Sequence, residues 1–133
     1  MNSAARVLIV DDNPTNLEIC HEILDGEFQV MTAYDCLEAI RIASHYGPQV
    51  VLLDVMLPGI DGYETCRRLR RLPGMREALI VMISAKAMPT ERAEGLDAGA
   101  DAYITKPFDH AEFLSVVRSG GPRRNKLSEA KSG

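Results

Sequence analysis

Five short aliphatic blocks recur along the chain, and each is followed by a stretch with helical spacing of apolar residues. The blocks are Val7–Val10, Phe28–Thr32, Val50–Leu53, Leu79–Ile83 and Ala102–Ile104. Four of them lack period-2 alternation, the pattern of strands buried on both faces within a parallel sheet. The second block alternates in part, as an edge strand does. Between the blocks, Asn13 followed by Pro14 predicts a helix cap and first turn, with Leu17, Cys20, Ile23 and Leu24 on one face. Asp35 predicts the next cap, with Cys36, Ala39, Ile40 and Ala43 inward and Gly47-Pro48 as the stop. Asp61-Gly62 opens a third helix carrying Cys66 and Leu69. Thr90 opens a fourth, with Ala93 and Leu96 inward, and Asp109 opens a fifth, with Phe113, Leu114 and Val117 inward. Strand and helix alternating five times predict an α/β, doubly wound parallel sheet covered by helices on both faces. Within 133 residues this is one domain, over about 1–118. Residues 119–133 then read as a basic tail or linker without order.

Composition narrows the function classes. The chain carries a net charge of −4. Arg123, Arg124, Lys126 and Lys131 against Glu129 give the tail +3, which leaves residues 1–118 at −7. So acidic a domain has no bulk electrostatic affinity for nucleic acid. No apolar run reaches the ~20 residues of a membrane span, and no secretory leader is readable. Cys20, Cys36 and Cys66 fall in apolar helical patterns and are expected to be reduced and partly buried, as in a cytoplasmic protein. His21, His45 and His110 fall on predicted helices without a partnering motif and are expected at the surface.

The polar residues gather at the strand ends. Asp11 and Asp12 follow the first strand, Asp54 the third and Ser84 the fourth, and Lys106 lies two residues past the fifth. In an open parallel sheet these ends share one edge, where ligands bind. Three carboxylates brought together repel unless a cation neutralises them. An all-oxygen set without His or Cys favours a hard divalent ion such as Mg²⁺, and one lysine suits a phosphate. A carboxylate can act as nucleophile toward a phosphoryl group, whose oxygens the metal, Lys106 and Ser84 would hold.

Asp11-Asp12, Leu53-Asp54-Val55-Met56-Leu57-Pro58-Gly59-Ile60-Asp61-Gly62, Ile83-Ser84-Ala85 and Ile104-Thr105-Lys106-Pro107-Phe108 together resemble the motif set of response regulator receiver domains, over residues 6 to about 118. The resemblance implies a flavodoxin-like sheet of order 2-1-3-4-5 with five helices. It implies Asp54 as the phosphoacceptor, taking a phosphoryl group from phosphohistidine on a sensor histidine kinase or a histidine phosphotransfer protein. It implies Mg²⁺ held by Asp11, Asp12, Asp54 and the carbonyl of Met56, with Lys106 and Ser84 on the phosphoryl oxygens. Tyr103 matches the aromatic whose rotamer follows the Ser84 movement, and Ala85 is small beside the site. Met56 and Lys86 sit where this family tunes autodephosphorylation. The expected readout is the fourth helix, fifth strand and fifth helix, a possible homodimer face. Kinase docking is expected on the helix from Pro14, around Glu18 and Glu22.

The chain would then catalyse only its own phosphorylation and dephosphorylation. A haloacid-dehalogenase-like phosphatase would need Asp-x-Asp where Asp54 is followed by Val55 and Met56. A flavin or nucleotide binder would need a phosphate loop where Asp11-Asp12 stands.

Overall fold

The computed structural model describes residues 5–85 and 88–119. The expectations for Lys86 and for the tail from Gly120 onward lie outside the described residues. The elements run β1 (Arg6–Val10), α1 (Pro14–Leu24), β2 (Gln29–Ala33), α2 (Cys36–Tyr46), β3 (Val50–Asp54), α3 (Gly62–Arg71), β4 (Leu79–Ser84), α4 (Pro89–Asp97), β5 (Ala102–Thr105) and α5 (His110–Arg118). All strand pairings are parallel and the order is β2-β1-β3-β4-β5.

Each central strand divides its side chains between two cores. Leu8, Val10, Val51, Leu53, Ile80 and Met82 face α2 and α3. Val7, Ile9, Val50, Leu52, Leu79, Val81 and Ile83 face α1 and α5, where Phe113 and Val117 are fully covered. Burial on both faces is why β3 and β4 read as unbroken apolar runs. The edge strand β2 alternates exposed and half-buried positions over its first four residues.

The caps form as the sequence predicts at four helices. Asn13 Oδ1 accepts from the Thr15 and Asn16 amides (2.9 and 3.3 Å), and Asp35, Asp61 and Asp109 each accept from the amide three residues on. The fourth helix differs. It starts at Pro89 rather than Thr90, behind Met88, whose amide donates to Glu91 Oε1 (3.3 Å). Its expected inward residues are also corrected: Ala93 is exposed, Leu96 is 53% exposed, and Gly95 is the buried residue of the helix. α4 lies against the sheet through a glycine, so its packing face carries no large side chain for a periodicity argument to find. Among the described residues no helix is long and apolar enough to cross a membrane.

Candidate phosphoacceptor site

The parallel strands deliver the sequence-predicted residues to one edge of the sheet. Asp54 is the last residue of β3 and is buried. Its Oδ1 accepts from the Met56 amide (2.7 Å), and its Oδ2 accepts from Lys106 Nζ (3.1 Å). The carboxylate plane is thereby fixed from two sides, once by backbone and once by charge. Lys106 is itself anchored, since its amide donates to the Ser84 carbonyl (2.8 Å) and so extends the β4–β5 ladder past the strand end.

Asp11, just past β1, is the second buried carboxylate. It accepts from the Asn13 amide (2.9 Å) and from Asn16 Nδ2 (3.2 Å). Burial pushes its carboxyl above the ordinary aspartate value, and the Asp54 charge adds in the same direction. The Asn13 amide, Lys106 and Asn16 oppose the shift without cancelling it. Asn16 was not anticipated from the sequence. Its signal is its position on the first turn of a helix that starts beside an acidic pair.

Asp11, Asp54 and Lys106 line one cavity of about 490 Å³, which continues between α1 and the β5–α5 loop along Ile19, Ile23 and Phe108. Asp12 is exposed and lines a neighbouring cleft with Met56, Asp61 and Tyr63. Among the described residues, no three His, Cys, Asp or Glu side chains are drawn close enough to form a ready-made metal cluster. Mutual repulsion opposes a closer approach of the acids, and Lys106 is the cation paired with Asp54. The donor chemistry nonetheless fits a hard divalent ion: two buried carboxylates share one cavity and a third carboxylate lines the neighbouring cleft, a set of oxygen donors.

Ser84 ends β4 and is buried, but it continues the Ile80–Met82 side of the sheet, toward α4. Tyr103, in register with Met82, packs on that same side. The proposed switch pair therefore shares one face, while Asp54 follows Leu52 toward α1 and α5. Ala85 is exposed on the cavity wall. Of the histidines, His21 is half-buried and His45 and His110 are exposed; His45 Nδ1 lies 2.9 Å from the Arg41 carbonyl. All three cysteines are free and buried. Burial pushes the Cys20 and Cys66 thiols up to about 11.

The comparisons with known proteins agree with this geometry. The model of the response regulator receiver domain family matches residues 7–118. The response regulator PleD of Caulobacter vibrioides is 38% identical over 117 residues, which are 87% of this chain and 26% of that protein. The DNA-binding dual master transcriptional regulator RpaA of Synechocystis is 34% identical over 126 residues, 94% of this chain and 52% of that protein. The chain thus spans a quarter to a half of the length of these relatives. Among solved structures, the receiver domain of a Pseudomonas aeruginosa sensor histidine kinase superposes with a TM-score of 0.80 at 30% identity, covering 87% of this chain and 96% of that one. That structure has a magnesium ion coordinated in its active-site cleft. Sheet order, strand-end acids and the match over residues 7–118 agree: the chain belongs to the response regulator receiver domain family.

Proposed function

We propose that this receiver takes a phosphoryl group from phosphohistidine onto Asp54. The observation that carries the reading is the buried Asp54 carboxylate held between the Met56 amide and the Lys106 ammonium at the mouth of the cavity. A carboxylate oxygen of Asp54 attacks phosphorus, the P–N bond breaks, and its electron pair leaves with the imidazole, which is protonated. Lys106 lies close enough to follow the new charge from the carboxylate to the phosphoryl oxygens. Asp11 and Asp54, with Asp12 and the Met56 carbonyl, would hold Mg²⁺. The ion, when bound, supplies charge neutralisation between nucleophile and phosphoryl group. Ser84 would contribute its hydroxyl to a phosphoryl oxygen, and Tyr103 would follow on the α4 side.

A phosphoryl group adds roughly −1.5 to −2 charge and three acceptors, which favour the conformer closed by Ser84 and Lys106. The response would appear on α4, β5 and α5, where a partner or a second copy docks. The donor, a sensor histidine kinase or a histidine phosphotransfer protein, would approach over α1, past the exposed Glu18 and Glu22. The domain would work in the cytoplasm and turn over no substrate beyond its own acyl phosphate. Intact-protein mass after incubation with acetyl phosphate tests this. One added phosphoryl group is expected with Mg²⁺, and none with a chelator or in Asp54→Asn. An adduct that survives Asp54→Asn overturns the assignment.

A further inference from the structure

The contact between α4 and β5 turns on Tyr103. A Cβ on Gly95 would stand 3.0 Å from Met82 Sδ and 3.2 Å from Tyr103 Cδ2, so the bare helix backbone presses directly on the ring. Three residues earlier, the Arg92 guanidinium carbon lies 5.3 Å from the ring centroid. The same guanidinium donates through Nη2 to Thr105 Oγ1 (2.9 Å). Tyr103 and Thr105 are two apart on one strand and so project from the same face. One arginine therefore spans both, by cation–π attraction at one and a hydrogen bond at the other.

The far end of the ring is less comfortable. Among the described residues the Tyr103 hydroxyl oxygen is buried without a hydrogen-bond partner. Tyr63, on α3, comes close, but its own hydroxyl donates to the Glu91 carbonyl (3.4 Å). Burial, with the Tyr103 phenol beside it, holds Tyr63 protonated far above the usual tyrosine range. A buried, unsatisfied hydroxyl favours the outward rotamer, where water would satisfy it. Something must offset that preference, and Arg92 is the charged group over the ring.

We propose that Arg92 is a positioning residue that sets the population of the buried Tyr103 rotamer and, through Thr105, couples it to the phosphoacceptor edge. Thr105 pairs with Ser84 in register and immediately precedes Lys106, the partner of Asp54. The coupling to that edge rests on the phosphoacceptor reading; the hold on the ring does not. A partner that engages Arg92 would release Tyr103 without touching Asp54.

Two arms on the full chain separate these claims. In the first, 3-fluorotyrosine is incorporated and the Tyr103 resonance, assigned with Tyr103→Phe, is followed by ¹⁹F NMR without ligand. Arg92→Met should move it toward the free amino acid and raise its solvent-isotope shift. Arg92→Lys, which keeps the charge and loses the fork, should fall between. In the second arm, beryllofluoride is titrated with Mg²⁺ as a phosphoryl mimic. Arg92→Met should bind it about three- to tenfold more weakly, because the competent rotamer is less populated. An unmoved Tyr103 resonance in both variants overturns the proposal. A moved resonance with affinity within twofold of wild type overturns the coupling and keeps the hold on the ring. If the wild-type chain takes up no beryllofluoride, the phosphoacceptor reading fails while the first arm still decides the role of Arg92.

Discussion

Gly62→Ala should be the most damaging single-methyl change near the site. Gly62 is the first residue of α3, and its amide donates to the Val55 carbonyl (3.0 Å). An added Cβ would lie 2.5 Å from the Asp54 carbonyl oxygen, 2.6 Å from Val55 Cα and 3.0 Å from the Val55 carbonyl oxygen. Ordinary contact begins at 3.4 Å, so α3 and the end of β3 must part by about 0.9 Å. Every atom met is backbone, and none can rotate away. Overpacking of this kind costs about 1–3 kcal/mol. The helix-propensity gain of alanine, at most about 1 kcal/mol in a helix interior, is smaller at a first position. Weakening of the Gly62–Val55 hydrogen bond adds to the loss, for a net of about 2–3 kcal/mol. At roughly 4 °C per kcal/mol for a domain of this size, the melting temperature should fall by about 8–12 °C. Because the displaced carbonyl belongs to Asp54, phosphorylation by acetyl phosphate should slow by up to about 100-fold. Gly95→Ala is the internal control. Its Cβ meets only side-chain atoms, of Met82 and Tyr103, and it gains helix propensity, so its stability should change by less than about 1 kcal/mol. Thermal melts by circular dichroism decide the comparison. A Gly62→Ala melt within 3 °C of wild type, or a larger loss for Gly95→Ala, would refute the close-approach reasoning.

Four further outcomes are expected. Arg118 holds Glu27 through two hydrogen bonds (2.7 and 2.9 Å), and that contact lowers the Glu27 pKa from 4.5. A lowered folded value contributes stability above the unfolded pKa that is lost as pH falls through the folded one. The melting-temperature gap between wild type and Glu27→Gln should therefore be present at pH 7 and close on acidification below 4.5; a gap independent of pH would contradict this. Arg70 donates to the carbonyls of Met75, Ala78 and Gly99 and to Asp101 Oδ2 (2.8 Å), which in turn accepts from the Ile80 amide. Arg70→Met should cost about 2–3 kcal/mol in urea unfolding. Lys106→Met should cost about 1–2 kcal/mol in metal-free buffer, discounted for the 31% exposure of the lysine; adding Asp54→Asn should recover most of it, and purely additive losses would show that the pair is uncoupled. Ellman's reagent at pH 8 should label Cys20 and Cys66 slowly in the native chain and rapidly in urea, since burial raises both thiols.

Much of this was readable from the residues. The three central strands announce themselves because burial on both faces leaves their interiors apolar, whereas β5, which reads the same way in the sequence, is an edge strand with three of its four residues half-buried. Asp54 stands out as an acid that ends a buried run inside the strand itself. Strand-end placement puts Lys106 and Asp54 at one sheet edge; that the two pair directly, at 3.1 Å, is a finding of the structure. What the residues do not reveal has separate physical causes. Periodicity points Ala93 and Leu96 of α4 inward, but the contact is made by Gly95, and an inward glycine contributes nothing to an apolar stripe. Arg92 looked like one charge among several on a polar helix, since a grip on an aromatic ring leaves no periodic trace. Asp12 sits apart from Asp11 because adjacent residues at a strand end diverge, a matter of side-chain direction rather than of residue type.

The Arg118–Glu27 pair also fixes where the end of α5 lies. Glu27 stands just before β2 begins, so the end of α5 lies at the edge where the strands start, as does Arg6 at the head of β1. Asp54 lies at the opposite edge, at the far end of β3 from Val50, about 13 Å along the strand at the usual rise per residue. A fluorophore or a surface tether attached at Arg6 or Arg118 would therefore leave the phosphoacceptor edge open to a donor. Distance measurements between such a label and a probe near Asp54 would sample the full height of the sheet.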